Sequence, residues 1–283
     1  MNKIALGLLA FSYGALAAVP APYDGMAKIR GCSAAVVQFA GQSDSDKVLL
    51  LTNGHCVSRE LDAADAMVDR AYSDIATVYR GNTPLIVGSL PIDRIVYATM
   101  TQTDLAILRT GISYAELKDK LRIQPRQIAQ QLPSAGDAVH VASGNLEQHY
   151  QCQIAAQVNA VKEDKWQWQP AFRLEQSDSC QIKAGASGSP VINSDGSIAA
   201  VINTGNQDGE SCTLNNPCEV NEQGQISVKK GAVYAVDSHM LSVCLQGGVL
   251  NLDPPCALTK PQIHFIHTLP LPDGDKSVPG KSE

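Results

Sequence analysis

The run Val48-Leu-Leu-Leu-Thr-Asn-Gly-His-Cys56 carries a β signal that ends abruptly in a turn and sets a histidine just beyond it. Val48 to Thr52 is dominated by aliphatic residues and reads as a short strand. Asn53-Gly54 then supplies turn chemistry. Upstream, Ala34 to Phe39 has the same character; downstream, Leu85 to Ser89, Ile95 to Ala98 and Leu105 to Arg109 repeat it, bounded by Gly, Asn, Asp or Pro. One helix start interrupts the pattern. In Ser113-Tyr-Ala-Glu116 the Ser oxygen and the Glu carboxylate can satisfy free first-turn amides as a capping box, and that helix is expected to end before Pro125.

The Gln-rich stretch Gln124 to Pro133 is the expected boundary between two halves. A second set of strands follows at Ala138–Ala142, Cys152–Val158, Phe172–Glu175, Val191–Asn193, Ser197–Ile202 and Val233–Val236, with Asn193-Ser-Asp-Gly196 as a hairpin turn. Many short strands in two groups, with little helix and no fixed repeat, predict an all-β protein of two barrels or sandwiches. Prolines crowd the segment from Val249 onward, so a Pro/Gly-rich, mobile tail is expected, with a Cys244 to Cys256 bridge as its one staple.

Composition excludes several classes. Hydrophobic residues at 44% of 283 provide a core, and 22 Lys plus Arg against 28 Asp plus Glu leave a net charge of -6, which lacks the basic footprint of nucleic-acid or anionic-membrane binding. Lys3, an apolar run from Ile4 to Leu16 and Ala15-Leu16-Ala17 read as a cleavable signal peptide, cut after Ala17 or Ala18. That run is shorter than the ~20 residues of a membrane span. The expected location is therefore secreted or periplasmic. In such a chain, Cys32, Cys56, Cys152, Cys180, Cys212, Cys218, Cys244 and Cys256 form an even set that reads as disulfides, and no C-x-x-C pair favours zinc.

Three segments carry chemistry: Leu51-Thr-Asn-Gly-His55-Cys56, Thr103-Asp104-Leu-Ala-Ile-Leu108 and Gly185-Ala-Ser187-Gly-Ser-Pro190. A serine hydroxyl needs a neighbouring imidazole to take its proton, and that imidazole needs a carboxylate to orient it. Glycines beside the Ser allow a sharp turn that aims amides at a developing oxyanion.

At these residues the chain resembles the chymotrypsin/trypsin-like serine peptidases, which share this His, Asp, Ser order. The resemblance implies two antiparallel six-stranded β-barrels with a C-terminal helix. It implies His55 as general base and acid, Asp104 as its orienting carboxylate and Ser187 as nucleophile, with the amides of Gly185 and Ser187 as the oxyanion hole. It also implies a Cys32 to Cys56 bridge. The expected division is a signal peptide at 1–17, a leader or short propeptide at 18–28, barrels at 29–125 and 126–245, and the tail at 246–283. Gly231 to Cys244 resembles the closing strand and helix. The implied product is a serine endopeptidase acting as a monomer on proteins or peptides, with no cofactor and no metal. The rival readings are a double-barrel module that binds peptides or proteins without cleaving them, and an esterase using the same triad.

Departures from the family pattern are specific. Ala186 stands where trypsin has an Asp, and no Ile-Val-Gly-Gly start occurs, so activation by that ion pair is unavailable; the Gly-x-Ser-Gly-Ser-Pro form is nearer the bacterial glutamyl endopeptidase branch. The implied primary pocket comprises Gln181, Ile182, Lys183 and Ala184 before the nucleophile, and Ile202, Asn203, Thr204 and Gly205 after it. Asp178 is too far upstream to select Lys or Arg as trypsin does, and Ile202 replaces the His of glutamyl endopeptidases, so a small or neutral residue before the scissile bond is expected. Cys152 with Cys180 and Cys212 with Cys218 are the remaining pairings, with Cys180 to Cys212 as a rival. His264-x-x-His267 near Asp273 and Asp275 lacks a third positioned ligand. His140 is expected to point outward from its strand, and Trp166 with Trp168 to form a hairpin stack rather than a ligand platform.

Overall fold

The computed structural model describes residues 21–58, 61 and 65–262. The expected signal peptide and the His264, His267, Asp273 and Asp275 group lie outside the described residues.

The first half contains β1 (Met26–Ile29), β2 (Cys32–Val37), β3 (Lys47–Thr52), β4 (Ala66–Arg80), β5 (Leu85–Thr99) and β6 (Leu105–Ser113), closed into a barrel in the order β1-β2-β3-β6-β5-β4. Closure needs β1, which pairs with β2 on one side and β4 on the other. Residues expected as part of a leader at 18–28 are therefore structural: Tyr23, Met26 and Ala27 are buried in the core. Their segment is too short for a periodic signal, and it is buried because it pairs with β2 and, across the barrel seam, with β4. Two strands expected at 85–89 and 95–98 are one strand. Pro91 pairs only with Ile75 of β4, whereas the ladder to β6 begins at Ile92, so the missing amide costs no hydrogen bond on that side. Strand β4 left no sequence signal because its middle, around Asp69 to Ser73, faces solvent. The capping box at Ser113 and Glu116 forms as expected and opens a short helix, α1 (Tyr114–Glu116), which widens over Leu117–Leu121 and stops at Arg122 with a left-handed φ of 56°.

The second half contains β7 (Ala138–Ser143), β8 (Gln148–Val158), β9 (Ala160–Glu163), β10 (Trp166–Trp168), β11 (Ala171–Leu174), β12 (Pro190–Ile192), β13 (Ile198–Gly205), β14 (Cys218–Val220), β15 (Ile226–Ser227) and β16 (Val233–Asp237). A second closed barrel runs β11-β16-β13-β12-β7-β8, and β10-β9-β14-β15 form a separate small sheet beside it. The fold is all-β with two six-stranded antiparallel barrels, followed by α2 (His239–Cys244) and the pair β17 (Leu245–Gln246) and β18 (Val249–Leu250).

The connection at 124–133 is stitched to both barrels. Arg126 exchanges backbone bonds with Val36 and Gln38, and Ala129 donates to Ile198 at 2.8 Å. The Arg126 side chain is buried and donates to the carbonyls of Gly196 at 3.1 Å and Ala21 at 2.7 Å, tying the chain start to the second barrel's hairpin. Burial pulls its guanidinium down to about 10.

Disulfides join Cys32–Cys56, Cys152–Cys180, Cys212–Cys218 and Cys244–Cys256, so the rival Cys180–Cys212 pairing does not form. Beyond the last bridge the tail is anchored as far as it is described. Leu258 is buried, Tyr97 Oη donates to the Thr259 carbonyl at 3.0 Å, and Thr259 Oγ1 donates to the Thr101 carbonyl at 3.0 Å. The tail expected to be mobile from Val249 is thus, up to 262, a strap across the first barrel. Among the described residues no helix is long and apolar enough to cross a membrane.

Candidate active site

Strand β3 ends in a tight turn at Gly54–Cys56 that presents His55, and the Cys32–Cys56 bridge holds that turn to β2. Gly54 is required by close approach: a Cβ there would lie 2.1 Å from the Thr99 carbonyl oxygen and 3.0 Å from Asp104 Oδ1. Asp104, just before β6, is fully buried. Its Oδ1 accepts the His55 amide at 3.0 Å and its Oδ2 lies 2.6 Å from His55 Nδ1. A carboxylate only accepts, so the imidazole proton sits on Nδ1 and Nε2 is the basic nitrogen.

The serine turn is built by contact with the first barrel. Gly188 adopts φ +80°, and a Cβ there would lie 2.0 Å from the Ser33 carbonyl oxygen. Ser33 donates its amide to the Ser187 carbonyl at 2.8 Å, while Gly188 donates to the Ile202 carbonyl at 3.0 Å and to Asn53 Oδ1 at 2.6 Å. A buried hydroxyl cluster of Ser33, Ser143 and Ser189 lies underneath, at 2.9 and 3.0 Å. Ser187 Oγ donates to the Asn203 carbonyl at 3.3 Å. Asn145 Nδ2 holds the Gly185 carbonyl at 3.0 Å, and among the described residues the amides of Gly185 and Ser187 have no protein acceptor.

A cavity of about 680 Å³ takes in His55, Asp104, Gly185 and Ser187 together. Of the expected pocket, Ile182, Lys183, Ala184, Ile202, Asn203, Thr204 and Gly205 line it; Gln181 does not and is exposed. Trp166 and Trp168 sit in the β9–β10 hairpin and also line the same cavity, and Trp168 Nε1 is locked onto the Met100 carbonyl at 3.0 Å. The residues that sequence reading missed come largely from this small sheet and the loop before β14, notably Glu163, Leu214 and Asn215. Glu163 accepts from Thr204 Oγ1 and from the Asn215 amide, and burial raises its carboxyl above the ordinary range. No spacing signal marked it, because its partners lie 41 and 52 residues away.

His140 lies outside the site and, as expected, alternates with the buried Val139 and Val141 on β7. It is half-buried, stacked on His149 with ring centroids 5.2 Å apart. Among the described residues, the one group with metal-ligand proximity is Cys32, His55 and Cys56, whose sulfurs are consumed by their disulfide.

The trypsin-like peptidase domain model matches residues 32–201. No curated protein sequence matches the chain. Solved structures similar to it include the MamO protease domain from Magnetospirillum magneticum, at 14% identity over 79% of this chain and 97% of that one, with a TM-score of 0.49. A Glu endopeptidase bound to MPD shows 16% identity over 79% of this chain and 89% of that one, with a TM-score of 0.46. A serine endoprotease from Yersinia pestis shows 16% identity over 78% of this chain and 61% of that one, with a TM-score of 0.46.

Proposed function

The chain belongs to the trypsin-like peptidase domain family and is a serine-type endopeptidase, and from that premise we propose that it cleaves peptide bonds through an acyl-enzyme on Ser187 with His55 and Asp104 completing the triad. The observation that carries this reading is the 2.6 Å contact of His55 Nδ1 with buried Asp104, inside the cavity that also takes in Ser187.

In this mechanism Ser187 Oγ attacks the scissile carbonyl carbon as its proton passes to His55 Nε2. The carbonyl electron pair moves onto oxygen, where the Gly185 and Ser187 amides meet the negative charge; one such donor is worth roughly 10²–10³ in kcat in other enzymes. Asp104 stabilises the imidazolium without taking its proton. Collapse of the intermediate breaks the C–N bond, and the amine leaves with the proton from His55. Water then repeats the sequence on the ester, with His55 again as base, and frees Ser187. The apolar walls at Ile182, Ala184 and Ile202 support a small or neutral residue before the scissile bond. The chain works as a monomer. Export is supported by the signal-like start and by disulfides that persist only in an oxidising compartment.

The test is intact-mass labelling of the disulfide-bonded protein with a fluorophosphonate, alongside Ser187→Ala. One adduct on the wild type and none on the variant is expected. A folded wild type that stays unlabelled, or a variant that labels, overturns the assignment.

A further inference from the structure

We propose that Glu163 is the selective group of a substrate subsite that takes a lysine or arginine side chain, distinct from the pocket for the small or neutral residue before the scissile bond, an inference that rests on the serine peptidase reading above. Glu163 closes β9 and is only 5% exposed, yet it lines the cavity shared by His55 and Ser187. Its carboxylate accepts one hydrogen bond on each oxygen, from Thr204 Oγ1 and from the Asn215 amide, both donors being themselves cavity walls. Both donors are neutral, and among the described residues no lysine or arginine forms an ion pair with it. A carboxylate has about four acceptor sites. Two remain for a ligand.

A buried, unpaired carboxylate is costly unless something positive neutralises it. A neutral substrate group leaves that cost in place, and an acidic one adds repulsion. An ammonium or guanidinium forms charge-assisted hydrogen bonds to the open lone pairs. The surroundings suit the same chemistry. Trp166 and Trp168 line the cavity next to Glu163, and indole faces attract cations. A path for substrate also exists. Beyond Ile202, β13 pairs only with β16 among the described strands, leaving an edge at Asn203–Gly205. An extended peptide can lie along that edge from Ser187 to Thr204, whose hydroxyl touches Glu163.

The test uses fluorogenic peptide libraries in which each position in turn is lysine, arginine, Nε-acetyl-lysine or norleucine, with active sites counted by fluorophosphonate. At one position the wild type should show kcat/KM for lysine over acetyl-lysine of at least ~10-fold, and Glu163→Gln should abolish that ratio. A wild type that labels and cleaves peptides without any cationic preference overturns the proposal, as does a preference that survives Glu163→Gln. If Glu163→Gln does not label, Glu163→Asp keeps the charge but withdraws it by one methylene. A reduced ratio in that variant supports the proposal and an undiminished one overturns it. A folded wild type that neither labels nor cleaves any peptide removes the serine peptidase reading itself, an outcome distinct from those above.

Discussion

The side-chain oxygen of Asn53 accepts the Gly188 amide proton at 2.6 Å, so a residue of the first barrel holds the turn that follows Ser187 in the second. The same side chain donates from Nδ2 to the Asp104 carbonyl at 2.8 Å. Fully buried, Asn53 thereby joins the aspartate and serine segments and is adjacent in sequence to the histidine turn. Its role is positioning. Asn53→Ala should lower kcat per titrated site by about 10–100-fold through a small misplacement, with KM changing much less. Steady-state kinetics on probe-titrated protein check this; a variant that loses thermal stability while keeping its kcat would show that Asn53 serves the fold alone.

Gly188 tolerates no side chain. The clash of a Cβ with the Ser33 carbonyl at 2.0 Å, added to φ +80°, should cost Gly188→Ala about 3 kcal/mol or more, and the variant should lose fluorophosphonate labelling. Gly31→Ala is the matched control, since a Cβ there meets nothing within 4 Å. Thermal melts and labelling of both variants make the comparison.

Burial raises the carboxyl of Asp237 above its usual value of 3.8, although the His239 amide at 2.7 Å partly offsets the effect. A folded value above the unfolded one favours the fold while the group is protonated, and that contribution is lost as pH rises through the folded value. Asp237→Asn keeps an acceptor for His239 and has no charge to bury. Its Tm should therefore exceed that of the wild type at neutral pH, with the gap shrinking on acidification and closing below about pH 3.8. A gap independent of pH from 3 to 7 contradicts the ionisation argument.

The Cys244–Cys256 bridge closes a short loop of sequence separation 12 and delivers Leu258 and Thr259 to the first barrel. Replacing both cysteines by serine should cost about 2–3 kcal/mol, read from the midpoint of chemical denaturation. Labelling of Ser187 should persist in that variant, because neither cysteine lines the cavity. A midpoint unchanged within error would mean that the strap holds without its staple.

Strand periodicity showed where the chain is buried on both faces and failed where it is not. Leu105–Leu108 and Val48–Leu51 are continuous apolar runs, and the strands that contain them were legible. Ala66–Arg80 and Met26–Ile29 were not, one because its middle is solvated and the other because it is short and completes a barrel seam with partners far along the chain. The tail read as mobile because it is rich in Pro and Gly, yet a disulfide, the Thr259 hydroxyl donating to Thr101 and the Thr259 carbonyl accepting from Tyr97 hold it to the first barrel as far as it is described.

From sequence alone came the all-β class, the two halves, the histidine, aspartate and serine segments in order, and the glycines that their turns require. These are local properties: a turn, a cap or a buried strand is dictated by neighbours a few residues away. Only the tertiary structure decided what surrounds those segments. Glu163 and the two tryptophans reach the cavity because β9 pairs with β14 of a later loop, and Asn53 reaches Gly188 because two barrels pack face to face. Such contacts depend on how whole elements pack, and no spacing within one stretch of chain encodes them.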